Sequence, residues 1–374
     1  MKKILKFSCI SGLNAGDVII SEVLTELLHT NYKVETIDII NSNFDARSRV
    51  ENPSEYKVPE SRPIRNVLAR HVRKAQYILR HKKTLSKKIS EADIVIIGGG
   101  QLIDDYASGH MLFMIDEISK LCRKHQKRLV INFVGVSQLM KKNHKVILRV
   151  MLSTDAFNVR DERSKDRLLA ISRSFSRVTI APDPVLLVSD MRTSQCRART
   201  KIGINVMNLN RITKQEVQNL DTLAANLSEL SRKTGLGLKI INTAYGEDLT
   251  IAHRLKLKLK CLGIEVSEIN VFGINDVASA YSDISLMISN RMHSGIISLS
   301  YSIPTLIYNW HPKVTSLLEG IAGDQFSNMV LQDANANPNE VIEKFNRLKH
   351  ANLPSIVDIK KYEIKKFVDE TFYT

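Results

Sequence analysis

Eleven short runs rich in β-branched residues alternate with helix-patterned segments along the 374 residues, and this alternation leaves few folds open. Strands joined through helices pair in parallel, because the connection must travel back along the sheet before the next strand begins. In the first half the expected strands are Ile4 to Ile10, Lys33 to Ile40, Asp93 to Ile97, Arg128 to Val134, Ala156 to Val159 and Val178 to Ala181. "APDPVLLVSDMRTSQCRARTK" then interrupts with two prolines and a basic stretch that has no periodicity, as a linker does. The alternation restarts at "KIGINVM" and continues through "GLKIIN", "GIEVSEI", "DISLMIS" and "IPTLIYN". The expectation is an α/β chain of two doubly wound Rossmann-like domains, residues 1–190 and 200–350, with an interdomain cleft. A terminal helix at 355–374 is expected to pack back on the first domain.

Composition narrows the class of protein. An apolar fraction of 43% and a charged fraction of 25% are those of a globular chain, and no apolar run approaches the roughly 20 residues that span a bilayer. "MKKILKFSCISGLNAGD" opens with two lysines like a signal peptide, but Lys6 and Ser8 interrupt the apolar stretch, so it reads as a first strand. Cys9, Cys122, Cys196 and Cys261 are scattered, which gives neither a disulfide framework nor a zinc pattern and makes the reducing cytoplasm the expected compartment. Lys plus Arg number 54 against 39 Asp plus Glu, a net charge of +15 that favours anionic partners. Nucleic acid is not expected among them, since aromatics make up 6% and no recognition motif is present.

Polar residues at strand ends mark the candidate site, because open α/β sheets bind ligands outside the carboxyl ends of their strands. Arg291 and His293 stand where "DISLMISN" hands over to the apolar segment "GIISLSYSIPTLIYN", so these cationic groups are functional or costly. Lys313 follows the next strand, near a helix start, where a second cation can reach the same anion. Arg160 ends the strand of "FNVRDERS", with a planar fork suited to carboxylate or phosphate, while Asp161, Glu162 and Arg163 serve the helix start. Gly98, Gly99 and Gly100 follow an apolar strand in "ADIVIIGGGQLIDDY", either as a loop whose N–H groups hold an anion or as tight packing of two backbones. Asn14, Gly16 and Asp17 form a turn into an amphipathic helix, where Asp17 caps the helix or binds a hydroxyl. His110 either lines the cleft or is structural, and Asp183, held between two prolines, is architectural or orients a sugar hydroxyl. Asp104 and Asp105 read as a helix start, and no metal site is expected.

Taken in order, "NAGD", "IIGGGQLIDD", "VRDERS" and "SNRMHSGIISLSYSIPTLIYNWHPK" resemble the polysaccharide pyruvyl transferase family. The resemblance implies a GT-B-like arrangement of the two domains and transfer of the pyruvyl group of phosphoenolpyruvate onto a sugar of a bacterial surface glycan or exopolysaccharide, as a ketal. It implies that Arg291 and His293 match the family's Arg-x-His element and Arg160 its cleft arginine. Trp310 stands where the pattern ending at Lys313 has tyrosine, and Ala15 where a bulkier residue is expected. The donor chemistry agrees: phosphoenolpyruvate needs cations and N–H donors for its two anionic groups, and an acid, His293, to protonate its methylene carbon. Phosphoenolpyruvate is then a substrate, and no cofactor is expected.

Two other readings share these features. One is a GT-B glycosyltransferase using a nucleotide sugar, with Glu319 holding a ribose. The other is a non-catalytic glycan-binding relative, against which Arg160, Arg291 and His293 are all retained. Residues 62–88, "RPIRNVLARHVRKAQYILRHKKTLSKK", carry ten Lys or Arg and no acid, with Ile64, Leu68, Val72, Ala75 and Leu79 at helical spacing. This is the pattern of an interfacial helix on an anionic membrane, where a lipid-linked saccharide acceptor is assembled on the inner face of the plasma membrane. The same stripe also suits a helix packed on the first domain's sheet with its charges solvated.

Overall fold

In the computed structural model, residues 1–10, 14–39, 81–104, 110–173, 175, 177–193, 198–213 and 216–373 are described. The β-branched runs form two six-stranded sheets in which every pairing is parallel. The first contains β1 (Lys2–Ser8), β2 (Tyr32–Asp38), β3 (Ile94–Ile103), β4 (Arg128–Val136), β5 (Ala156–Val159) and β6 (Val178–Ile180), in the order β2-β1-β3-β4-β5-β6. The second contains β7 (Lys201–Asn205), β8 (Gly237–Asn242), β9 (Val266–Asn270), β10 (Ile284–Ser289), β11 (Thr305–Tyr308) and β12 (Val330–Leu331), in the order β12-β11-β10-β7-β8-β9. The two residues of β12 are too few to carry a sequence period, and they were not expected. In the second sheet the order reverses between β7 and β10, the kind of position where doubly wound folds leave a crevice for ligands.

Helices follow most strands: α1 (Ala15–His29), α2 (His110–Lys124), α3 (Lys141–Leu152), α4 (Glu162–Leu169), α5 (Leu220–Thr234), α6 (Glu247–Cys261), α7 (Ile274–Tyr281), α8 (Met292–Ser300), α9 (Pro312–Ala322), α10 (Pro338–His350) and α11 (Leu353–Phe372). Sheets covered on both faces read as continuous apolar runs, and Ile94 to Ile97 and Leu129 to Ile131 are buried accordingly. Lys6 is the exception within β1. It is fully buried, donates to Thr25 Oγ1 of α1 at 2.5 Å, and burial pushes its pKa down to about 7. Between that pH and the ordinary lysine value the unfolded chain binds the proton more strongly, so this group's contribution to stability rises with pH across that window.

The chain divides into two compact units, Met1–Gly12 with Leu24–Ala181, and Leu13–Val23 with Pro182–Thr374. The division at Ala181 comes earlier than the boundary expected from the linker-like stretch. The prolines of "APDPVLL" start a 3-10 turn, Pro184–Leu187, and a short helix, Val188–Met191, both of which belong to the second unit. Ser189 Oγ donates to the carbonyl of Ser300 at the end of α8 (2.6 Å), and Asp190 accepts from Lys361 and Lys365 of α11 at 2.6 and 2.7 Å. The terminal helix, expected on the first domain, is thus part of the second unit. It does meet the 184–190 segment that the sequence had placed in that domain.

α8 explains why its sequence is rich in small residues. All nine residues, "MHSGIISLS", are buried. A Cβ on Gly295 would lie 2.2 Å from Ile307 Cδ1, so only glycine lets the helix lie this close to β11. Ser294 and Ser298 satisfy their hydroxyls on Tyr281 (2.8 Å) and Thr305 (2.5 Å), and the helix is therefore buried without leaving those two groups unpaired.

Candidate active site

The sequence-predicted residues fall into a group on each unit. On the second, the polypeptide leaving β10 is fixed at three points. Ser289 Oγ donates to the carbonyl of Arg291 (2.7 Å), the Arg291 N–H donates to Asn205 Oδ1 at the end of β7 (3.1 Å), and Arg291 Nε donates to Asp248 Oδ2 (2.7 Å). Asn205 is itself held through its amide on the carbonyl of Ile241 and on Thr243 Oγ1. Asp248 is buried in the first turn of α6, whereas the Arg291 side chain is 29% exposed. The guanidinium is therefore anchored through Nε on a buried carboxylate.

His293, in the first turn of α8, is buried with Nε2 at 3.6 Å from Asp183 Oδ2. The other oxygen of Asp183 accepts from the Val185 N–H at 3.1 Å and so starts the turn at Pro184. Asp183 is fully buried, which makes it the ring's carboxylate partner in preference to a group reaching for a sugar hydroxyl. On the opposite edge of the ring lies Gly16: a Cβ there would sit 2.2 Å from His293 Nδ1 and 2.4 Å from its Cβ and Cγ. Glycine is required here for a close approach. Asn14 shapes the turn that brings it in, pairing with Ala244 as an isolated antiparallel bridge, accepting from the Gly16 N–H (3.2 Å) and donating to Asp17 Oδ2 (3.1 Å). Asp17 thus supports the turn.

Lys313 stands in the first turn of α9, its ammonium 4.5 Å from the centre of the Trp310 ring. The Trp310 indole N–H donates to the Asn290 carbonyl at 2.8 Å, which ties this pair to the residue before Arg291. The tryptophan that stands where a tyrosine was expected is thus the seat of the lysine.

On the first unit, Gly98, Gly99 and Gly100 lie within β3, which runs on to Ile103. Gly98 pairs with Asn132 and Gly100 with Val134, and between these pairs the backbone turns left-handed at Gly99 (φ 82°) and at Phe133 of β4 (φ 53°). The Phe133 N–H donates to Asn158 Oδ1 at 3.0 Å. A Cβ on Gly98 would meet Asn132 Oδ1 at 2.0 Å. Glycine at 98 thus makes room for the Asn132 side chain of the adjoining strand. Arg160 is buried at the end of β5, donating through Nη2 to Gln101 Oε1 (3.1 Å), with Gly135 leaving room for both side chains. Asp161 caps α4 through the Ser164 N–H (2.8 Å), as expected. Asp104 accepts from Ser137 Oγ at 3.0 Å, while Asp105 and the His110 side chain lie outside the described residues. Among the described residues no three His, Cys, Asp or Glu come together as metal ligands.

Sequence reasoning missed Asn205 and Asp248. Asn205 ends a strand, the same signal that marked Arg160, but Asp248 in "YGEDLT" looks like any acid in a helix's first turn. Asp248→Ala is expected to raise the KM for an anionic donor about tenfold, because it frees the guanidinium that the carboxylate orients. Asp248→Asn, which keeps an acceptor oxygen, is expected to cost less, and steady-state kinetics on the three proteins checks both.

Three solved structures share the fold along the whole chain. The UDP-GlcNAc 2-epimerase of Methanocaldococcus jannaschii superposes with a TM-score of 0.62 at 9% identity, covering 100% of each chain. A glycosyltransferase from Rickettsia africae gives 0.56 at 12% identity, covering 97% of this chain and 93% of its own. The UDP-GlcNAc 2-epimerase of Neisseria meningitidis bound to UDP-GlcNAc gives 0.53 at 13%, covering 100% of each. At such identities the likeness is one of fold, the paired Rossmann-like architecture of GT-B enzymes. No curated protein matches the sequence. A model of the polysaccharide pyruvyl transferase family matches residues 14–312. That span begins at the asparagine that shapes the turn under His293 and takes in every residue of the second-unit group except Lys313; on this extent the chain belongs to the polysaccharide pyruvyl transferase family.

Proposed function

We propose that this transferase moves the pyruvyl group of phosphoenolpyruvate onto two hydroxyls of a saccharide, releasing phosphate and leaving a pyruvate ketal. The observation that supports it best is the buried His293–Asp183 pair beside an anchored Arg291, all at the point where the second sheet reverses its strand order. The donor's phosphate and carboxylate call for cations and free N–H groups, which Arg291, Lys313 and the first turn of α8 supply. The scheme uses residues of the second unit alone.

Imidazolium His293, with the Asp183 carboxylate beside it, gives its proton to the methylene carbon, which becomes the methyl group. The oxocarbenium-like C2 is attacked by one sugar hydroxyl, whose proton returns to the imidazole of His293 as the C2–O bond forms. The C2–O bond to phosphate breaks, Arg291 stabilising the departing charge, and a second hydroxyl closes the ketal, its proton leaving on the phosphate as hydrogen phosphate. No metal is invoked, because the cationic side chains take the role a divalent ion would have on the phosphate. Incubation with phosphoenolpyruvate and a panel of synthetic or lipid-linked glycosides tests this: pyruvylated sugar and phosphate in equal amounts, undiminished by chelator, is the expected result. Turnover that vanishes with chelator and returns with a divalent ion overturns the metal-free scheme.

Nucleotide-sugar transfer is the alternative. Glu319, the residue assigned to a ribose, is exposed in the second half of α9, about 9 Å of helix beyond Lys313 and away from the strand ends. A thermal shift with phosphoenolpyruvate and none with UDP-sugars separates the two readings.

The acceptor's delivery at a membrane is proposed on charge. Residues 62–80 lie outside the described part of the chain, but 81–90 are helical, with Leu85 and Ile89 in the first unit's core and Lys82, Lys83 and Lys87 exposed. These lysines, with Lys120, Lys124 and His125, line a groove of about 780 Å³ against α2. Within 81–90 the apolar positions are buried and three of the cations are exposed, while the stripe from Ile64 to Leu79 lies outside the described residues. Co-sedimentation with anionic liposomes at low salt is expected, falling with salt and with glutamine at Lys82, Lys83 and Lys87. Failure of the wild-type protein to bind such vesicles removes the membrane from the scheme.

A further inference from the structure

Two aromatic rings stand at the strand ends of the second unit without a part in the chemistry above. Tyr245 follows β8 and Phe272 follows β9, and their rings are stacked with centroids 4.9 Å apart and planes 7° from parallel. Tyr245 is buried and its hydroxyl donates to the Val271 carbonyl, while the Phe272 N–H donates to Asp276 Oδ2 at 2.8 Å. One face of Phe272 is covered by Tyr245, and the residue as a whole is 40% exposed. A phenyl ring that is fixed in place and left open to solvent loses little further freedom when something stacks on it.

Its position says what that is. β10, β7, β8 and β9 are neighbours in this order, so Arg291, Asn205, Tyr245 and Phe272 lie along one edge of the sheet. Tyr245 is joined to the site directly: Ala244 bridges Asn14, whose turn carries Gly16 against His293, and Asp248, three residues on, holds Arg291. From the end of β10 to that of β9 is three strand spacings, about 14 Å at about 4.8 Å each. That is too far for the sugar being modified and suits a neighbour in the same glycan.

We propose that Tyr245 and Phe272 form a stacking platform for a sugar ring of the acceptor one or more residues away from the pyruvylated one. The inference rests on the pyruvyl-transfer reading for the identity of the ligand. The apolar C–H face of a pyranose packs on the open phenyl face, so acceptors of two or more sugars gain a contact that single glycosides lack.

The test compares wild type, Phe272→Ala and Phe272→Trp on mono- and disaccharide glycosides that yield pyruvylated product. Phe272→Ala is expected to raise the KM for disaccharides about tenfold, more than for monosaccharides, with the KM for phosphoenolpyruvate unchanged and with rescue by tryptophan. Equal effects on both acceptor lengths, or none, overturn the platform while product formation leaves the pyruvyl-transfer reading standing. If no glycoside is pyruvylated, that reading falls instead, and saturation-transfer NMR with lactose and chitobiose still decides the platform, since sugar contacts must be present in wild type and lost in Phe272→Ala. Uridine monophosphate binding that depends on Phe272, with sugar binding indifferent to it, assigns the ring to a nucleobase and overturns the proposal.

Discussion

Replacing His293 by alanine is expected to lower kcat by about a hundredfold to ten-thousandfold, the range a positioned general acid contributes. The loss should fall on turnover, with binding of phosphoenolpyruvate largely kept, because Arg291, Lys313 and the α8 N–H groups remain. His293→Gln, which fills the same space with a group that cannot carry the proton, is expected to be as inactive as alanine. The ring is buried between Asp183 and Gly16, so the fold must be checked alongside. Near-normal kcat in a folded His293→Ala protein removes His293 from the mechanism.

Gly16→Ala is expected to cost at least about a hundredfold in kcat, although the added methyl group touches no substrate. Its Cβ would stand 2.2 Å from His293 Nδ1 and 2.4 Å from two ring-side carbons, contacts that no real structure tolerates. The ring has less than about 1 Å to move before Nε2, now 3.6 Å from the Asp183 carboxylate, reaches hydrogen-bond distance, which does not open a 2.2 Å contact to van der Waals separation, and the first turn of α8 is buried. Either the histidine rotates away from its carboxylate or the Asn14 turn is pushed off α8, and both spoil the alignment. The measurement is kcat with a melting curve: a folded Gly16→Ala enzyme with wild-type turnover shows that the geometry of this contact is immaterial to the chemistry.

The two variants also show where reading the sequence stops. "NAGD" marked Gly16 as a turn glycine, and "NRMHS" marked His293 as a polar group at the start of a buried helix. Each is a local signal. That the glycine exists to admit the histidine is a contact between residues far apart in the chain, and no periodicity or spacing encodes it. Asp183 illustrates the same limit. Its proline neighbours declared a rigid position but not its target, and a sugar hydroxyl and an imidazole ring are equally plausible partners for a carboxylate until the fold chooses. Gly98 to Gly100 were legible only as two alternatives. A glycine run after an apolar strand has the appearance of a loop, yet the strand continues through it, with positive φ at Gly99 and Gly100 and at Phe133 on the adjoining strand.

The sequence by itself determined the two parallel sheets, the placing of all strands but β12 and the family, because strand period, turn chemistry and motifs are properties of short segments. Only the tertiary structure decided which residues act together: Asp248 with Arg291, Asp183 and Gly16 with His293, Trp310 under Lys313, and the boundary at Ala181. For the contacts between residues far apart in the chain, the physical reason is strand order and the packing of the helices that follow the strands. β10 lies beside β7, which precedes it by some eighty residues, and side chains meet at the sheet edge according to that neighbourhood and not according to their distance along the chain.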